Sequence, residues 1–73
     1  METKVYQAFR NIIKNKHEKA LNYCVNYARA GLHMTGYELK VQCLYVLNNM
    51  THWRGKDARK ARNIIKEYIK EVK

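Results

Sequence analysis

Apolar residues recur along this chain with helical spacing from its first turns to its last. Val5, Ala8, Phe9, Ile12 and Ile13 follow an i, i+3, i+4, i+7, i+8 rhythm. That rhythm sets one apolar stripe on a helix over about residues 3–14. The stripe then slips. Continued at about 100° per residue, the next apolar set (Ala20, Leu21, Cys24, Val25, Ala28) falls about 100° round from the first. A straight helix would bury two faces, so a break is predicted near Asn15-Lys16, where Asn tolerates the left-handed conformation. A second helix is predicted over about 17–30, with Gly31 as a stop just past its end and Leu32 packing back on its last turn. Arg29 sits near the C-terminal end of that helix, where the dipole favours a cation.

Thr35-Gly36-Tyr37-Glu38 fits a T-x-x-E capping box. In such a box the Thr side chain accepts from the third amide of the helix and the Glu reaches back to the cap amide. A third helix is therefore predicted over about 36–50. It is apolar nearly all round, with Leu39, Val41, Cys43, Leu44, Tyr45, Val46, Leu47 and Met50, as in the middle of a bundle or at an interface. A fourth helix is predicted over about 55–72. Its stripe is Ala58, Ala61, Ile64, Ile65, Tyr68, Ile69 and Val72, and Asp57 lies in its first turn. The link between the last two helices is short, so they are expected to pack as antiparallel neighbours. The expectation is an all-α bundle of four short helices in a single domain.

At 73 residues the chain buries only about 60% of its unfolded surface, and small domains of this kind often recruit a metal, a disulfide or a second subunit. Proline and serine are both absent. No apolar run approaches the roughly 20 residues that span a bilayer. The N-terminal stretch METKVYQAFRNIIKNK has no signal-peptide character. A cytoplasmic protein is expected, with no membrane partner. The two cysteines are too few for a disulfide scaffold.

Cys24 and His33 share their spacing with Cys43 and His52, which raises the question of zinc. In a hairpin about His33 the cysteines lie level while the histidines lie at opposite ends. Nine helical residues span about 13.5 Å, too far for ligand bonds of about 2–2.3 Å. Small buried core thiols are the simpler reading; a Cys24–Cys43 disulfide under oxidation satisfies the same placement. His17, His33 and His52 fall at predicted helix ends. Without serine no Ser-based triad exists, the six acids are scattered, and no phosphate loop or HExxH motif appears. No enzyme activity, metal or cofactor is expected.

The formal charge of +9 changes the picture most. It favours a polyanionic partner. Residues 20–53 are nearly neutral, so the excess lies toward the two ends of the sequence. On the last helix Arg59, Arg62, Lys66, Lys70 and Lys73 recur every three or four positions. Such a strip can track phosphates without reading sequence, or it can be a solvated face; the net charge favours the first use. Arg54 and Lys56 add cations at the helix start, where free amides also attract anions. The candidate nucleic-acid contacts are Arg54, Lys56, Arg59, Arg62, Lys66 and Lys70. A helix-turn-helix with Gly55 in the turn fits poorly, because Arg54 and Lys56 would replace apolar packing residues.

Tyr23 and Tyr27 lie away from the Leu21/Cys24/Val25/Ala28 side of the second helix, and Tyr45 lies away from the main face of the third. Covering by the first helix, self-association as a homodimer, and partner binding are all open at this point. Trp53 fits a plug at the end of the bundle better than a base-stacking residue. Tyr23, Tyr27, Tyr45 and Trp53 are the candidate partner-interface residues.

The motifs Glu38-Leu39-Lys40, Tyr45-Val46-Leu47-Asn48 and Trp53-Arg54-Gly55, with the Ala/Arg/Ile-Ile-Lys helix after them, resemble small bacteriophage and prophage accessory proteins across residues 38–70. The resemblance implies a protein that binds nucleic acid (DNA or RNA) or an acidic host protein, such as an inhibitor of host defence, in the host cytoplasm. Inhibitors that mimic DNA are acidic, so that mechanism does not suit this chain.

Overall fold

The computed structural model describes residues 2–21 and 23–72. Four α-helices form an all-α bundle, 31 × 20 × 18 Å: α1 (Glu2–Lys14), α2 (Cys24–Gly31), α3 (Gly36–Asn48) and α4 (Lys56–Glu71). α1 and α3 each pack against both α2 and α4. The predicted stripe of α1 is the one that is buried, through Val5, Ala8, Phe9 and Ile12. The same holds for α4, through Ala58, Ala61, Ile65 and Tyr68. α3 contributes Leu39, Gln42, Cys43 and Val46.

The second helix is shorter than the spacing predicts. Instead of running from residue 17 it begins at Cys24, after a short 3₁₀ turn at Lys19–Leu21. The cause is local and tertiary together. Asn15 Nδ2 donates to the Asn11 carbonyl at 2.8 Å, and the following amides bond three residues back, Lys16 to Ile13 and Glu18 to Asn15. Such side-chain bonding competes with the helical ladder. The looser path still brings Leu21 into the core, where it is fully buried.

Gly31 does not serve as the stop beyond α2. It is the last residue of the helix, and Leu32 caps it with right-handed dihedrals. Gly31 is needed for a different reason: the Phe9 ring lies over it. A Cβ at this position would sit 2.3 Å from Phe9 Cε2. The absent side chain thus lets α1 and α2 approach.

The capping box of α3 does not form either. Thr35 is the N-cap residue, with extended dihedrals, but no side-chain capping bond is made. The anion comes from another helix. Gly36 donates its amide to Glu2 Oε2 at 2.7 Å, and the Tyr68 hydroxyl lies 3.0 Å from the same oxygen and 3.3 Å from the Gly36 carbonyl. Gly36 holds φ +56° to present that amide, a left-handed conformation that glycine adopts without steric cost. The Gly36 amide, and after it the Tyr68 hydroxyl, lower the pKa of Glu2. Burial first, and the Glu2 bond second, push the Tyr68 phenol up to about 12. The Tyr6 hydroxyl closes the cluster by donating to the Met34 carbonyl. Residues 2, 36 and 68 therefore mark one end of the bundle, and α1 and α4 run antiparallel.

Cys24 and Cys43 are fully buried free thiols. Cys24 Sγ donates to the Val46 carbonyl at 3.4 Å. Burial pushes the two thiols up to about 11 and about 12, so neither is a nucleophile near neutral pH. Among the described residues no helix is long and apolar enough to cross a membrane.

Candidate nucleic-acid interface

Antiparallel packing places the second half of α1 beside the first half of α4. A groove of about 360 Å³ runs between them. Its floor is Ala8, Ala61 and Ile64, the two alanines leaving the space open, and Arg10, Lys14 and Lys60 stand along it with Gln7, Asn11 and Asp57. Three cations converge there on a single concave surface with one acid for company.

The same packing polarises the whole bundle. Segments 10–21 and 51–62 share the end that carries the groove. They hold nine of the fifteen Lys and Arg residues and two of the six acids. The remaining described segments carry five cations against four acids. Almost all of the net charge thus belongs to one end, opposite the end where Glu2 caps α3.

The sequence candidates divide accordingly. Arg54, Lys56 and Arg59 are exposed at the basic end. Lys66 and Lys70 are exposed as well, but on the distal half of α4, where Glu67 and Glu71 interrupt them. Lys73 lies outside the described residues. Arg62 is not the free phosphate contact expected of it. It is half-buried, and its Nη2 donates to the carbonyls of Met50 and Trp53, at 3.0 Å each. Those carbonyls belong to the connection leaving α3, where the Met50 carbonyl also accepts the Trp53 amide at 3.1 Å, so Arg62 fastens α4 to that connection.

Arg10, Lys14 and Lys60 were missed as named contacts. Arg10 and Lys14 stand four apart on α1, and Lys60 lies inside the basic run of α4. The signal was present as spacing, but their convergence depends on how α1 and α4 are aligned.

Trp53 is a core residue, 4% exposed. It plugs the basic end from within and offers no surface to a partner, which corrects its place among the interface candidates. The tyrosines differ. Tyr23 is 64% exposed, Tyr45 50% and Tyr27 37%. Tyr27 and Tyr45 stack across α2 and α3, with ring centroids 5.8 Å apart and planes at 29°. α1 does not cover them. Gln42 Nε2 donates to the Tyr27 carbonyl at 2.7 Å and ties the two helices together beneath the rings.

Compared with known proteins, the chain matches no protein-family profile, no curated protein and no solved structure.

Proposed function

We propose that this protein binds nucleic acid through phosphate contacts at the basic end of the bundle. The observation that carries this reading is the concentration of nine cations against two acids in segments 10–21 and 51–62. Arg10, Lys14 and Lys60 bracket the groove, and Arg54, Lys56 and Arg59 extend the surface along the start of α4. Lys66 and Lys70 lie farther along, among acids, and contribute less. Phosphate contact of this kind is sequence-tolerant and driven by counterion release. Such a protein suits the accessory role that the resemblance to phage proteins implies.

The test is binding to labelled random-sequence DNA, as duplex and as single strand, across a salt series. Log K should fall linearly with log salt, at about 0.9 per neutralised phosphate on duplex DNA. Two variants of equal net charge separate the ends. Lys14→Gln with Lys60→Gln should weaken binding roughly tenfold or more and flatten the salt slope. Lys66→Gln with Lys70→Gln should do much less. Absence of binding to either form of DNA at low salt would end the reading.

A second reading rests on the exposed tyrosines: a protein-interaction module that recruits or inhibits an acidic host factor through Tyr23, Tyr27 and Tyr45. Tyrosine with nearby arginine is favoured at interfaces. Lys14→Glu with Lys60→Glu should abolish nucleic-acid binding and leave a tyrosine-centred interface largely intact.

A further inference from the structure

The aromatic surface lies on the α2/α3 side of the bundle, opposite the α1/α4 groove, and begins at the basic end. Tyr23 stands one helical turn before Tyr27, on the side of α2 that leads to the basic end, and Lys19 precedes it by four residues. Across from Tyr27, Tyr45 leads along α3 to Asn49, whose Nδ2 donates to the Tyr45 carbonyl at 2.8 Å. Beyond Asn49 the chain enters the connection that carries His52 and Arg54. The cations that flank the aromatic side at the basic end are thus Lys19, just before Tyr23, and Arg54, in the connection after α3. The platform is held firm beneath by the Gln42–Tyr27 and Cys24–Val46 hydrogen bonds.

Resting on the reading that the basic end binds phosphates, we propose that the ligand is single-stranded nucleic acid, with bases lying on Tyr23 and on the outer side of the Tyr27–Tyr45 pair. A duplex turns its base faces inward and has no use for exposed rings. A single strand offers each base face to an aromatic side chain while its phosphates follow the charge. The arrangement of rings beside cations, rather than rings alone, selects this occupant. A second copy of the chain on this face would bring +9 against +9, which opposes association. Stacking and phosphate contact need no 2′-hydroxyl, so a DNA strand reports on either sugar.

The experiment compares three probes of equal length at one salt concentration: a thymidine strand, an abasic strand with the same phosphates, and a duplex. The thymidine strand should bind the full chain roughly 5- to 100-fold more tightly than the abasic strand, as one or two stacked bases require. Tyr23→Ala and Tyr45→Leu should lower thymidine binding toward the abasic level while leaving abasic binding unchanged, and Tyr23→Ala, at an exposed ring, should leave the thermal midpoint unchanged as well. Equal affinity for thymidine and abasic strands overturns the stacking proposal and leaves the phosphate reading standing. No binding of any probe overturns both. Equal affinity together with a dimer in sedimentation that Tyr23→Ala dissociates assigns the face to a second copy and also overturns the proposal.

Discussion

At position 31 a single missing methyl group decides how closely α1 and α2 meet. Phe9 is fully buried, and a Cβ would overlap two of its ring atoms, at 2.3 and 2.8 Å. Gly31→Ala should therefore destabilise the fold by about 1–3 kcal/mol, the usual cost of overpacking a tight core. The check is a lower urea midpoint at unchanged slope, with part of the loss recovered when Phe9 is also shortened to Leu. From the sequence Gly31 read as a helix stop, because glycine after an apolar set usually is one. The true constraint involves a residue 22 positions away, and local patterning holds no record of such a contact. Trp53 shows the opposite case. A lone tryptophan in the short link between two helices pointed to a plug, and its burial follows from that placement.

The elements themselves were legible wherever one apolar stripe ran unbroken. α1 and α4 begin and end within a residue or two of expectation, since a period of 3.6 residues is set by local chemistry alone. α2 was overextended because 3₁₀ turns carry no distinct hydrophobic period. The start of α3 was placed correctly for a reason that proved wrong: Glu2 of α1, rather than the Thr35/Glu38 box, meets its first amide. Two variants distinguish these. Thr35→Ala should shift stability by no more than about 0.5 kcal/mol, as for a surface site with no special contact. Glu2→Gln should lower the thermal midpoint at pH 6. The sign of its pH dependence follows from the lowered pKa of Glu2. The stabilisation is fully present above the unfolded-state value near 4.5 and is lost as pH falls through the folded-state value. The gap between wild type and Glu2→Gln should accordingly narrow below pH 4.5 in a series of thermal melts.

For the whole molecule, the amount of charge was readable and its arrangement was not. The sequence located cations on its first and last helices, and only the antiparallel packing of α1 with α4 gathers them at one end. A strip along α4 looked continuous in the sequence; in the folded chain Arg62 leaves it to hold the Met50 and Trp53 carbonyls, and Glu67 and Glu71 dilute its far half. Gathered like charge also repels itself in the absence of a partner. Added salt should thus raise the thermal midpoint of the free protein while weakening its hold on DNA, because screening relieves the first effect and removes the second. Lys14→Gln with Lys60→Gln should do both at once, gaining up to about 1 kcal/mol in stability and losing affinity. An inert solvated face would show the first change without the second.

The position of Trp53 has a practical consequence for optical measurements. The only indole in the chain is shielded from solvent, so its emission should peak at short wavelength and shift red as the bundle opens, giving a built-in reporter of unfolding. Ligands docking outside would meet tyrosine rings instead. Tyrosine emission and tryptophan emission therefore divide the work, one following occupancy of the surface and the other the integrity of the core beneath it.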